Sequence, residues 1–207
     1  MGLTSLFFEV KNKNVFILGT GEVATRRANR FLDKGANVIL AGTYIREELK
    51  EKGAILKPLE NLEKLVDWAD IVVLASGDKN LSNYIASISK DKLLNRADKP
   101  EEGNIIVPTC FMIGDIEISI FTNGQSPLMA KELRKKIQKT ITPEDLLEIK
   151  LQDHCRIILK NKINNQKIRK EYLYKILNDE NIKKYLYNNQ LNEAKKYSEE
   201  LIEKMSE

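Results

Sequence analysis

The chain has 207 residues, 42% hydrophobic and 31% charged, with a net charge of +4. This suits one large or two small globular domains. The lysines are interspersed with acids and form no basic stripe with interleaved aromatics, which argues against a nucleic-acid binder. A single histidine, His154, excludes a multi-histidine zinc site, and no metal ligands are assigned. No window approaches the roughly 18 apolar residues of a membrane span, so no membrane partner is expected. The apolar run Leu6-Phe7-Phe8 has no basic lead and is too short for a signal peptide. A cytoplasmic chain is expected, with Cys110 and Cys155 as free thiols.

In chain order, Asn14 to Leu18 is a short apolar run of β-formers ending at Gly19, and a helix is predicted from about Val23 to Lys34. Ala36 to Ala41 repeats the strand pattern and Arg46 to Lys52 the helix, with a weak third strand at Ala54 to Leu56. Leu62 to Trp68 reads as a turn or short helix. Asp70 to Ala75 is apolar on both faces, as a strand buried under helices should be. A helix follows from about Leu81 to Lys90, then Lys92 to Asn95. This alternation predicts a parallel, doubly wound α/β sheet.

After Asp98 the rhythm changes. Asn104 to Val107 and Ile116 to Phe121 are strand-like and flank Met112 to Asp115, which reads as a hairpin turn. Ser126-Pro127 and Thr142-Pro143 each supply a cap and a first-turn proline. From Thr142 onward the sequence reads as helix.

The segment Gly19-Thr20-Gly21-Glu22-Val23-Ala24 fits G-x-G-x-x-A between a strand and a helix. In that context Gly19 permits the tight turn, and Gly21 lets a pyrophosphate approach the backbone. Ala24 allows close helix packing, and the helix N-terminus presents N–H groups to the anion. The acid that usually meets the ribose about 20 residues on is absent: the second strand ends in Gly42-Thr43-Tyr44. Thr43 can make one hydrogen bond to a ribose, and Arg46 admits a phosphorylated one. The residues themselves leave NAD and NADP both open.

Residues 19–28, GTGEVATRRA, resemble the GGGxVAxRKA segment of the precorrin-2 dehydrogenases, a family that includes the N-terminal dehydrogenase/ferrochelatase module of sirohaem synthase. Ala75-Ser76-Gly77-Asp78 with Leu81-Ser82-Asn83 is similar to the family's AATDD…LN, and Asn95-Arg96-Ala97-Asp98 to its VNVxD. Ile105 to Pro108 and Thr122-Asn123-Gly124-Gln125-Ser126-Pro127 resemble FxFP and STGGxSP, in the family's order, over about residues 1–150. Thr20 departs from the middle glycine of the family's turn, Arg96 and Lys99 are unusual beside Asp98, and the tail after Lys150 carries no matching motif.

The resemblance implies an NAD-binding Rossmann domain over residues 1–103, a dimerisation segment over 104–141 and a helical C-terminal domain over 142–207. It implies NAD as cofactor, held by Gly19, Thr20, Gly21, Glu22, Val23, Ala24, Thr43, Tyr44, Ala75 and Ser76. It implies a homodimer, and oxidation of precorrin-2 to sirohydrochlorin with Asp98 handling the proton. The eight carboxylates of that substrate call for basic and polar contacts. Arg96, Thr122, Asn123, Gly124 and Ser126 are the candidates, with Lys99, Lys131 and Arg134 as further cations. Metal insertion into the product is left open. Two other classes compete: a nucleotide-sensing regulatory domain, which shares the glycine turn, and a tetrapyrrole carrier without redox activity.

Overall fold

A computed structural model describes residues 2–206. They divide into two compact units between Val107 and Pro108. The first is built on a five-stranded parallel sheet of order β3-β2-β1-β4-β5. Its strands are β1 (Asn14–Leu18), β2 (Asn37–Ala41), β3 (Ile55–Lys57), β4 (Ile71–Leu74) and β5 (Leu93–Arg96). The intervening helices are α1 (Glu22–Leu32), α2 (Glu47–Glu51), α3 (Leu62–Trp68) and α4 (Lys79–Ile88).

Alternation along β1 shows why both faces are covered. Val15 and Ile17 pack with Ala24, Ala28 and Phe31 of α1 and Leu49 of α2. Phe16 and Leu18 pack on the other face with Leu62 and Val66 of α3 and Ile85 of α4. Successive side chains of a strand point to opposite faces, so an uninterrupted apolar run demands helices on both. Every residue of β4 is buried, whereas β3, at the edge, has none fully buried.

The predicted α/β sheet is the observed one, with one correction nearby. Asn104 to Val107 is not a strand. The Asn104 and Ile105 N–H groups both donate to the Leu94 carbonyl, at 2.9 and 3.1 Å. The Asn104 side-chain oxygen accepts from Leu94 N–H at 2.7 Å, and the Asn95 amide donates to the Ile105 carbonyl at 3.0 Å. Asparagine side chains thus replace a ladder along β5, while Ile105 and Val107 pack on the core shared by β1 and α1. An apolar run alone could not reveal that substitution.

In the second unit the hairpin is β6 (Thr109–Ile113) with β7 (Ile116–Ile120), antiparallel. Its turn is Gly114-Asp115, with Gly114 at φ 54°, so Met112 and Ile113 belong to a strand and not, as expected, to the turn. Then come α5 (Pro127–Thr140), α6 (Pro143–Lys162), α7 (Gln166–Asn178), α8 (Glu180–Tyr187) and α9 (Leu191–Ser206). Caps set their starts. Ser126 accepts from Met129 N–H at 3.1 Å. Thr142 and Asp145 form a reciprocal capping box, at 2.7 and 3.3 Å. Asn165 and Asp179 cap α7 and α8. Leu151, Cys155, Leu159, Ile176, Ile182, Leu186, Ala194 and Ile202 form the core of these helices. Tyr172 and Tyr185 pack against it, whereas Tyr174 and Tyr187 are exposed. Among the described residues no helix is long and apolar enough to cross a membrane.

Candidate dinucleotide and proton-transfer site

Strand order reverses direction at β1, so the loops after β1 and β4 diverge and open a crevice at the carboxyl edge of the sheet. Leu18 pairs with Ala41 on one side and Leu74 on the other. Gly19 N–H donates to the Ala41 carbonyl, and Ala75 N–H to the Leu18 carbonyl, both at 2.9 Å. Gly19 and Ala75 therefore leave the sheet side by side.

The two glycines of the turn are there for different reasons. Gly19 has φ +108°, and a Cβ on it would lie 2.5 Å from the Ala75 carbonyl oxygen. Only glycine fits, because of the protein's own backbone. A Cβ on Gly21 would meet nothing within 4 Å. Gly21 is also the N-cap of α1, with no side chain capping the helix. The protein thus leaves open space above the uncapped, positive end of a helix, as a diphosphate requires. The residues present fit a dinucleotide.

Around this cradle the expected cofactor residues converge. A Cβ on Gly42 would lie 2.6 Å from Cγ2 of Thr20, so the loop after β2, with exposed Thr43 and Tyr44, abuts the glycine turn. On the other side Ala75 touches Gly19, and the Ser76 hydroxyl accepts from Asp78 N–H at 3.1 Å. Glu22 and Val23 are exposed in the first turn of α1, and Ala24 is fully buried against the sheet.

Asp98 follows the end of β5, whose last pair is Arg96 with Leu74. Its carboxylate is gripped by Arg96: Nε–H donates to Oδ1 at 3.2 Å and Nη2–H to Oδ2 at 2.6 Å. This hydrogen-bonded fork, opposed in part by burial, holds the Asp98 carboxyl below the usual carboxylate range.

Arg96, expected among the substrate contacts, is turned toward acceptors of the protein itself. Its side chain is only 2% exposed, and the guanidinium also donates to Asn83 and Glu102. Its charge is taken up within the protein. Lys99, a further expected cation, bonds Glu102 at 2.9 Å.

In the second unit Thr122, Asn123, Gly124 and Ser126 form one turn, with Asn123 and Gly124 at φ 51° and 75°. Ser126 N–H donates to the Thr122 hydroxyl at 3.4 Å, and the Ser126 hydroxyl caps α5. Arg134 sits 5.2 Å from the centroid of the Phe111 ring. Arg96 lies in the first unit and these residues in the second.

Sequence reasoning missed Asn83, Glu102 and Arg27. Arg27 of α1 donates to the Asn95 side chain, and burial, then Arg26 and Arg30, lowers its pKa to about 10. Pro100 opening a 3₁₀ turn over Pro100–Glu102 was the available signal that Glu102 folds back toward Arg96.

A family model described as "Putative NAD(P)-binding" matches residues 6–109. The precorrin-2 dehydrogenase of Methanosarcina barkeri is 30% identical over 190 residues, covering 86% of this chain and 84% of the relative. The chain belongs to the precorrin-2 dehydrogenase family. The enzyme of that name from Priestia megaterium is 27% identical over 183 residues, covering 85% of this chain and 90% of its own. The solved structure of SirC, precorrin-2 dehydrogenase, superposes with a TM-score of 0.77 at 23% identity, covering 96% of this chain and 100% of SirC. That likeness extends the shared fold through the helical tail, where no family motif was legible. The resemblance read from residues 19–28, 75–83 and 95–98 is borne out, and so is the α/β fold with its helical C-terminal region.

Proposed function

We propose that this chain is an NAD-dependent precorrin-2 dehydrogenase, converting precorrin-2 and NAD+ to sirohydrochlorin, NADH and a proton. The observation that carries the reading is the empty Cβ position of Gly21 above the uncapped N-terminus of α1, in a chain of this family. Bound there, the nicotinamide supplies the hydride acceptor. The N–H groups of Gly21, Glu22, Val23 and Ala24 hold the diphosphate, and Thr43 and Tyr44 lie toward the ribose beside Gly42. Ala75 and Ser76 line the side of β4. Asp98 receives the proton that leaves the macrocycle, as the ionised carboxylate nearest in sequence to the end of β5. In the second unit the turn of Thr122, Asn123, Gly124 and Ser126 offers the backbone N–H groups of Asn123 and Gly124 to substrate carboxylates, the Thr122 and Ser126 hydroxyls and the Ser126 N–H being committed to the turn and the cap.

The proposal extends to a cytoplasmic homodimer paired through residues 104–141. The exposed Met112 and Phe121 of the hairpin region and Leu128, Met129 and Leu133 of α5 support it, since clustered apolar surface of this kind marks an interface. Light scattering at the dimer mass is expected, and a monomer removes this part.

The test is anaerobic incubation of the protein with precorrin-2 and NAD, followed by absorbance, with and without ferrous or cobalt ion. Sirohydrochlorin and NADH should form in equal amounts without metal. Tight NAD binding with no conversion of the tetrapyrrole would sink the enzyme reading in favour of a regulatory domain. Binding of sirohydrochlorin without turnover would favour a carrier.

A further inference from the structure

A buried arginine at the end of a strand needs acceptors for its donors, because an unpaired buried guanidinium is strongly unfavourable. Arg96 finds four of them nearby. Of the five N–H donors of a guanidinium, Nε and one on Nη2 go to Asp98, the other on Nη2 to Asn83 at 3.0 Å, and one on Nη1 to Glu102. The three partners come from different elements: Asn83 from α4, Glu102 from the 3₁₀ turn, and Asp98 from the loop between β5 and that turn. Lys99 supplies the second positive charge, on Glu102. Arg96 and Lys99 thus balance Asp98 and Glu102. Asp98 receives the two-pronged grip, and its side chain is 25% exposed against 46% for Glu102.

We infer that Arg96 is the positioning residue of the dehydrogenase reaction: it fixes the orientation of the Asp98 carboxylate, with Asn83 and Glu102 holding the guanidinium from behind. This rests on the proposed role of Asp98 in accepting the proton. A bidentate arginine fork fixes the plane of a carboxylate as well as its charge. The Asp98 carboxyl is held down first by the Arg96 hydrogen bonds, against burial, and then by backbone N–H groups of Asp98 and Lys99; Glu102 and Glu101 of the 3₁₀ turn act on Arg96 itself, the Lys99 side chain bonds Glu102, and Asn83 of α4 is neutral. The chemical consequence is a weaker base, one that takes more acid to protonate than an ordinary carboxylate. The acid limb of kcat then lies below the ordinary carboxylate range.

The experiment compares wild type, Arg96→Met and Asp98→Asn in precorrin-2 turnover with NAD from about pH 2 to about pH 9, a window that reaches below the ordinary carboxylate range, alongside a carbon-13 NMR titration of the Asp98 carboxyl. In Arg96→Met the acid limb of kcat and the Asp98 titration should both rise by about one unit or more, the range over which an adjacent arginine depresses a carboxylate. KM and the affinity for NAD should stay near wild type. A merely structural loss lowers activity evenly across pH and leaves the limb in place, and that result overturns the inference. Full activity of Asp98→Asn overturns it as well. Failure of the wild type to oxidise precorrin-2 removes the functional reading instead, and the NMR titration alone then decides whether Arg96 governs Asp98. Should Arg96→Met not fold, Glu102→Gln removes the carboxylate that competes with Asp98 for the guanidinium and should lower the Asp98 titration; an unmoved or higher value overturns the inference.

Discussion

The sheet unit and the helical unit reach similar compactness by different means. In the first, the decisive positions are backbone ones: Gly19 at φ +108° against the Ala75 carbonyl, Gly42 against Thr20, and asparagine side chains standing in for a ladder beside β5. In the second, helix starts are set by Ser126, Thr142, Asn165 and Asp179, and helix positions by a stripe of buried aliphatic residues. Backbone positions that must approach something closely admit few residues and leave a recognisable motif. An aliphatic stripe admits many, and leaves only a periodicity. Function gathers in the first kind of region because a ligand, too, needs close approach.

Four substitutions test this contrast, in descending order of effect. Leu159→Ala, at a fully buried site of the helical core, should cost about 2–5 kcal/mol of stability. NAD affinity, measured by fluorescence titration below the melting temperature, should not change; a parallel loss of affinity would show that the two units are not separable. Gly19→Val should cost roughly 1–3 kcal/mol through its backbone conformation, with overlap on Ala75 adding to that. Calorimetry should show the loss, and NAD binding should go with it. Gly21→Ala sharpens the comparison most. Its new methyl meets no protein atom, so the melting temperature should move little while NAD binds about tenfold more weakly, about 1.4 kcal/mol. A melting loss as large as that of Gly19→Val would mean the cradle is only a packing feature. Thr142→Ala removes half of a capping box and should cost about 1 kcal/mol, visible in denaturant unfolding and absent from the turnover rate.

The sequence made the sheet legible for a physical reason. Runs such as Ile71 to Leu74, apolar on both faces, have few alternatives once glycine turns bound them. Ser126-Pro127 and Thr142-Pro143 announced α5 and α6 because a cap acts on its own helix. Long-range pairing was not legible. Ile105 and Val107 look like a strand, yet their neighbour Asn104 bonds β5 through its side chain. Arg96 looks like a contact for substrate carboxylates, and only the fold brings Asn83 and Glu102 to it. A charged residue reads as surface until its partners are known. The glycine turn was legible as a motif because the positive φ of Gly19 is a local constraint, whereas the approach of the Ala75 carbonyl to it was not.

Thr20 and Gly42 carry a consequence for how such chains diverge. With threonine at 20, a methyl at 42 has no room, since it would stand 2.6 Å from Cγ2. Gly42→Ala alone should therefore be harmful, and Thr20→Gly should restore tolerance to it. The two sites form a ratchet: the order of change matters, and a lineage holding Thr20 must first shift or replace that side chain before position 42 can gain one of its own.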